Sequence, residues 1–321
     1  MRIAIDCADL DHNRIDGTRV YIKNLLDQFG LIDQGSDFFL YHKKRFNEAL
    51  RPKAFDNYTE RSIPYAWWWT QTRFAFELRK DNPDVCWMPI QQVPFIGPNR
   101  TKYVVTIHDL AFKLFKDHFP KKDYLKINFF TETAIKRADS IIAISNSTKK
   151  DIIKFYPKTK EDKITVIHHG FDGEAFSGEF DEVELRKGLA KHGVKLSDEY
   201  ILYVGAIQPR KNLLTLLKAF ENLKQQKRFK ELKFVCVGEA AWLSEQIIKK
   251  MNESKYSKDI ILTGSVSFSD LSLFYRAAKV FVYPSLYEGF GIPILEAFAC
   301  QTPVICANNS SLAEVGGDAA V

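Results

Sequence analysis

Apolar positions in this chain follow two alternating rhythms: strand-sized runs, and longer stretches with the three-to-four spacing of a helix buried on one face. Residues 1–6, 103–107, 140–144 and 164–167 read as strands, and 17–29 and 124–138 as helices. Ser147 is expected to cap a short helix through 155, ended by Pro157. A second cycle starts near Tyr200, with strands at 201–205, 234–238, 260–263, 280–283 and 303–307. Helices are expected between them at 212–225, 241–252, 269–278 (Ser269 as N-cap), 293–299 and from 311. Strands alternating with amphipathic helices predict α/β architecture with parallel sheets. Two such cycles predict two doubly wound domains: 1–172, then a polar, charge-mixed linker at 173–198, then 199–321. The last residues, Ala319-Ala320-Val321, stop inside what reads as a further αβ unit, so a truncated C-terminal end is expected.

Composition adds little to that picture. The 321 residues are 45% hydrophobic and 27% charged, ordinary for a globular chain long enough for two cores. Every apolar run is strand-sized, and the start leads straight into a strand, so neither a membrane span nor a signal peptide is predicted. A cytoplasmic address is expected. The five cysteines (Cys7, Cys86, Cys236, Cys300, Cys306) are odd in number, lack C-x-x-C spacing and read as buried thiols.

The net charge is +6, and most of the excess lies in the first half. A basic first half suits either an ordinary solvated surface or peripheral contact with an anionic membrane, at the inner face. Nucleic-acid binding is not expected, because the charge is mixed and no recognised module is present. Tyr65-Ala66-Trp67-Trp68-Trp69, with Arg61 and Arg73 nearby, suits sugar stacking or a lipid–water interface, with core packing as the alternative.

Candidate chemistry concentrates at 283–304, Y-P-S-L-Y-E-G-F-G-I-P-I-L-E-A-F-A-C-Q-T-P-V. It begins at a strand's C-terminal end, where open α/β sheets bind ligands. Gly289 and Gly291 permit close backbone approach, and Pro293 suits the first turn of a helix whose free N–H groups attract an anion. Glu288 and Glu296 bracket that turn. A carboxylate accepts hydrogen bonds from two vicinal sugar hydroxyls at once. An acid favouring the helix dipole would explain either glutamate alone, but neither the pairing nor the glycines.

This segment resembles the signature of family 4 of the retaining glycosyltransferases, which have the two-domain GT-B fold: two Rossmann-like domains facing across a cleft. One departure is Gln301, where that family usually has glycine before T-P-V. The resemblance implies that Glu288 contacts the donor sugar and Glu296 the ribose, with Gly289, Phe290 and Gly291 framing the donor. The segment Gly205-Ala206-Ile207-Gln208-Pro209-Arg210-Lys211-Asn212 resembles the family's strand-to-helix turn, whose two basic residues neutralise the departing diphosphate. Cations at a helix start are unfavourable without an anion, which supports that role for Arg210 and Lys211. Thr106-Ile107-His108-Asp109 is similar to the family's H-D segment, which places His108 by the donor sugar; Asp109 reads equally as a turn cap. Gly17 matches a family glycine that brings backbone N–H groups to the donor or acceptor. Ser145-Asn146-Ser147 matches a serine-containing segment, and His168-His169-Gly170 the end of the first domain.

The resemblance implies metal-independent, retaining transfer from a nucleotide diphosphate sugar to a glycan or lipid-linked glycan, with no cofactor. The H-D-L-A-F stretch resembles bacterial mannosyltransferases of polysaccharide synthesis, which favours GDP-mannose. Asp9-Leu10-Asp11 spells D-x-D, a metal–nucleotide signature of a different fold, and is read as coincidence; the adjacent histidines lack further ligands at metal spacing. Rival readings are a sugar-nucleotide epimerase on a similar fold and a non-catalytic nucleotide-sugar-binding module. A dinucleotide-dependent dehydrogenase is disfavoured, since no G-x-G-x-x-G follows a strand.

Overall fold

A computed structural model describes residues 1–13, 15–64, 67–178 and 181–321. The chain divides into two compact units, Met1–His169 and Gly170–Val321.

The first unit is built on seven parallel strands: β1 (Arg2–Asp6), β2 (Asp37–His42), β3 (Tyr58–Ser62), β4 (Val85–Met88), β5 (Lys102–Ile107), β6 (Ser140–Ala143) and β7 (Ile164–Val166). Their order in the sheet is β3-β2-β1-β4-β5-β6-β7. Successive side chains leave a strand on opposite faces, so each strand feeds two cores. Ala4, Phe39 and Tyr41 join one cluster, with Phe74 and Leu78 of helix Arg73–Asp81 and Ala134 and Ile135 of helix Lys121–Arg137. Ile5, Phe38 and Leu40 join the other, with Ile22 and Leu26 of helix Gly17–Ile32.

The second unit has five parallel strands: β8 (Tyr200–Val204), β9 (Lys233–Val237), β10 (Ile260–Gly264), β11 (Val280–Tyr283) and β12 (Val304–Cys306). Their order is β10-β9-β8-β11-β12. All five residues of β8, the middle strand, are buried, as expected of a strand covered on both faces. The stretch 173–198, expected as a linker, forms helices Gly173–Ser177 and Glu182–Ala190. It sends Phe176, Leu189 and Val194 into the second core. Asp172 and Asp181 cap those helices, accepting from the Ala175 and Val183 amides.

Three local expectations change. Ser145 rather than Ser147 caps helix Asn146–Phe155, accepting from the Thr148 amide at 3.0 Å. Ser267 rather than Ser269 caps helix Phe268–Ala277, accepting from Asp270. Helix Glu245–Glu253 starts later than expected, because Leu243 adopts a left-handed conformation (φ 57°) that no helix can include. The strands β2, β3 and β4 were not anticipated. The five cysteines are free thiols, four of them buried. No helix of the described residues is long and apolar enough to cross a membrane.

Candidate functional site

In the second sheet the chain order runs outward in both directions from the β8/β11 boundary. This is a topological switch point, where the loops leaving neighbouring strands diverge and open a crevice at their C-terminal ends. The two loops there carry Arg210 and Lys211 (after β8) and Glu288 (after β11). Small residues let the strand ends converge. Gly205 has φ +142°, and a Cβ on Gly238 (φ +144°) would stand 2.1 Å from the Gly205 carbonyl oxygen.

Pro209 opens a short 3-10 turn, Pro209–Lys211, after which Asn212 takes φ 58°. Its side-chain amide donates to the Pro284 carbonyl at 3.1 Å, and the Leu286 amide donates to the Arg210 carbonyl at 2.9 Å, which fastens the loops together. The acidic loop is fixed from a third side. The Glu288 amide donates to Ser310 Oγ at 3.1 Å, while Ser311 Oγ donates to the carbonyls of Glu288 (2.9 Å) and Phe290 (2.6 Å). Gly291 (φ +122°) then turns the chain into helix Ile292–Ala299, with Pro293 in its first turn.

The charged side chains converge on one carboxylate. Lys211 Nζ donates to Glu288 Oε1 at 2.5 Å and to the Tyr283 hydroxyl at 3.0 Å; Arg210 Nη1 donates to Glu288 Oε2 at 3.0 Å and to the Tyr287 carbonyl. Glu288 and Lys211 are buried. Burial alone would push the Glu288 carboxyl up, but the fields of Lys211 and Arg210 outweigh it and hold it at about 2. Glu288 is therefore ionised at every physiological pH, and the three groups together carry one net positive charge. The anion that the sequence argument required beside Arg210 and Lys211 is, in this state, supplied by the chain itself.

Glu296 stands apart from this triad. It lies one turn into helix Ile292–Ala299, buried, with Oε2 accepting from the Tyr275 hydroxyl at 2.8 Å. No cation offsets its desolvation among the causes acting on it, and burial raises it to about 7.

The first unit repeats the topological logic. Its chain order turns at β1/β4, and there a cavity of about 270 Å³ opens. Asp9, Asp16 and Arg19 line it from beyond β1, Gln91 from beyond β4, and His108 and Asp109 from beyond β5. Asp16 caps helix Gly17–Ile32 and pairs with the Arg19 guanidinium, whose Nε also donates to the Asp9 carbonyl at 3.1 Å. Gly17 is the first residue of that helix, and a Cβ there would meet nothing within 4 Å.

His108 Nε2 lies 2.8 Å from the Pro89 carbonyl, so this nitrogen carries the proton. Burial lowers the imidazole pKa, and the ring is neutral with Nδ1 as the acceptor. It stacks on His169 (centroids 5.6 Å apart), and Tyr21 meets both rings edge-on. Burial, with His108 and His168 adding to it, lowers His169 to about 3. Asp109 Oδ1 accepts from the Ala111 amide at 3.0 Å, the turn-capping role.

Of the residues expected from sequence, the structure joins Arg210, Lys211 and Glu288 directly and uses Gly205, Gly289, Phe290 and Gly291 as their frame. His108 and the helix that starts at Gly17 flank the first-unit cavity. Residues that sequence reasoning missed include Asp16, Arg19, Gln91, Tyr275, Tyr283 and the Ser310–Ser311 clasp. The Asp16-Gly17 pair was a legible cap signal; the others depend on strand order. In the D-x-D, Asp9 faces the cavity while Asp11 Oδ2 accepts from the Lys43 and Lys44 amides, a structural task.

Comparison with known proteins gives two family matches: "Glycosyltransferase Family 4" over residues 17–175 and "Glycosyl transferases group 1" over 186–320. Among curated relatives, the O-antigen chain mannosyltransferase B of Escherichia coli is 30% identical over 226 residues, 70% of this chain and 58% of that protein. The O-antigen chain mannosyltransferase RfbU of Salmonella typhimurium is 31% identical over 206 residues, 64% of this chain and 51% of that one. The serotype-specific mannosyltransferase WbdA of Escherichia coli is 31% identical over 244 residues, 75% of this chain and 29% of that protein. The chain thus spans little more than half the length of these relatives, or less. Among solved structures, the fold matches WaaG, a glycosyltransferase involved in lipopolysaccharide biosynthesis (TM-score 0.72, 15% identity, 98% of this chain, 83% of that one). It also matches Anabaena HepE in complex with UDP and glucose (TM-score 0.70, 16% identity, 98% and 82%).

Proposed function

Since the chain belongs to the glycosyltransferases, combining a family 4 domain with a group 1 domain in the GT-B fold, we propose that it transfers a mannosyl group from GDP-mannose to a glycan or lipid-linked glycan, with retention at the anomeric carbon. The observation that carries the reading is the Arg210–Glu288–Lys211 triad at the β8/β11 switch point, in which Glu288 and Lys211 are buried and Arg210 is partly so. A diphosphate leaving group develops negative charge as its bond to the sugar breaks, and fixed cations in a desolvated pocket stabilise that charge most. The mannosyl preference draws support from the curated relatives named above.

In the proposed reaction an acceptor hydroxyl oxygen bonds to C1 on the face from which the diphosphate departs. The C1–O–phosphate bond breaks, and the hydroxyl proton passes to the departing phosphate oxygen. Arg210 and Lys211 hold the diphosphate, Glu288 accepts from sugar hydroxyls, and Glu296 accepts from the ribose. Gly205, Gly289, Phe290 and Gly291 keep the donor loops close to the ligand, and no metal or cofactor takes part. We assign His108 and the helix start at Gly17 to sugar recognition in the first unit. Contact with the membrane is peripheral, through that unit at the cytoplasmic face. Epimerisation and non-catalytic binding are not favoured, because both matched families are transferases.

A thermal-shift panel of GDP, UDP, ADP and their sugar conjugates tests the donor. Stabilisation by GDP and GDP-mannose is expected; stabilisation by UDP-sugars alone overturns the donor assignment, and no shift with any nucleotide overturns the site. Proton NMR of the transferred sugar's anomeric signal tests retention.

A further inference from the structure

The first unit exposes large apolar side chains on three segments that its own hydrogen bonds and ring contacts join. Trp67 and Trp68 are 67% and 56% exposed, Ile96 60%, Leu125 64% and Phe129 56%. Trp69, in contrast, is buried, with its indole N–H donating to the Ile63 carbonyl at 3.1 Å. The run of tryptophans therefore splits into one core residue and two surface ones. Trp68 holds the surface pair in a left-handed conformation (φ 47°), which is strained for a bulky side chain.

The segments connect in sequence. The Gln71 amide donates to the Trp68 carbonyl at 2.9 Å, and the Gln71 side chain bridges to the Val93 carbonyl (2.9 Å) and the Phe95 amide (2.7 Å). The Phe95 ring, beside Ile96, meets Phe129 edge-on at 5.7 Å. Along helix Lys121–Arg137, Lys122, Leu125 and Phe129 fall at i, i+3 and i+7 on one face, and Lys121 and Lys126 flank it. All three lysines are exposed, and among the described residues none of them forms an ion pair. Asp123 is the one acid in that turn.

We infer that this surface, Trp67 and Trp68 with Leu125, Phe129 and the lysines 121, 122 and 126, seats the chain on a lipid bilayer carrying anionic headgroups. Charge complementarity selects that occupant. Indole rings settle at the headgroup level, and lysines beside them are drawn to anionic lipid. A second copy of the same surface would bring like charges together, and a neutral sugar stacked on the indoles would leave the lysines without a task. The inference deepens the membrane-facing part of the proposed function and rests on it only for the source of the acceptor.

Vesicle co-sedimentation tests it, with the purified chain and vesicles of phosphatidylcholine alone or mixed with phosphatidylglycerol. The chain is expected to pellet with the anionic vesicles and not with the neutral ones. The combined variant Lys121→Gln, Lys122→Gln, Lys126→Gln should bind on the order of a hundredfold more weakly. Trp67→Ser with Trp68→Asn should weaken binding roughly tenfold or more. Equal binding by wild type and both variants overturns the inference, as does failure of the wild type to pellet at low salt. So does a dimer that the same substitutions disrupt while vesicles go unbound. Turnover on a water-soluble acceptor, measured in the same preparations, separates this result from the catalytic reading: the variants should keep it.

Discussion

Glu288 and Glu296 sit eight residues apart on one loop and the helix it feeds, yet they are held in opposite protonation regimes, one at about 2 and the other at about 7. The difference lies in their partners. Glu288 faces two cations, whereas Glu296 faces a single hydroxyl in an apolar surround.

This contrast gives a pH dependence with a definite sign. Between pH 4.5 and 7 the folded chain keeps a proton on Glu296 that the unfolded chain has lost. That carboxyl therefore contributes most to stability below pH 4.5, and its contribution is lost as pH rises to 7, by about 3 kcal/mol at most. Glu296→Gln removes the loss, so its melting temperature should gain on wild type between pH 5 and pH 8. If Glu296 accepts from a ribose, nucleotide affinity should also rise with pH through 7 in wild type and stay flat in the variant. Glu288 acts in the reverse direction: its contribution is present above pH 4.5 and is lost as pH falls toward 2.

Replacing Arg210 and Lys211 together with alanine should lower kcat by about a thousandfold or more. It also strands a buried carboxylate, at a cost of about 3–5 kcal/mol. Urea titration read beside steady-state kinetics separates the two losses. A triple variant that also carries Glu288→Gln should recover stability without recovering turnover, and recovered turnover would refute the assignment.

Two glycine substitutions should diverge. Gly238→Ala drives a Cβ to 2.1 Å from the Gly205 carbonyl at a positive φ, so it should destabilise the second unit by roughly 3 kcal/mol or more. Gly17→Ala meets open space in the first turn of a helix and should leave the melt unchanged or raise it by a degree or two. Should it also raise KM, the open space at Gly17 is where substrate fits.

His108 and His169 should both titrate below the ordinary histidine value, His169 at about 3. Imidazole NMR signals from the seven histidines, assigned by single replacement, check this. A His108 signal that moves with a midpoint above 6.5 would contradict the burial that lowers it against the pull of the Pro89 hydrogen bond.

The second unit was largely legible, because each of its strands is a compact apolar run and the acidic loop carries its own glycines and prolines. The stretch 37–88 was not. β3 reads Y-T-E-R-S, an edge strand with four exposed residues and no apolar run, and β4 has four residues. Helix caps slipped by two positions at Ser145 and Ser267 because neighbouring serines offer the same chemistry, and only backbone angles choose between them. Strand order, which creates both switch points, is a long-range property that local periodicity does not encode. The sequence named Arg210, Lys211 and Glu288 as members of one site; that Glu288 pairs with both cations at once required geometry.

That pairing bears on ionic strength. With Glu288 already seated on both cations, a diphosphate bound as proposed would displace a resident carboxylate rather than dissolved counterions. The change is an internal trade of one anion for another, out of reach of the salt that screens charges on the protein's exterior. Nucleotide affinity at this triad should therefore vary little between dilute and concentrated salt. Attraction of lysines 121, 122 and 126 to a charged bilayer should weaken steeply over the same range, so salt alone separates the molecule's two anionic encounters.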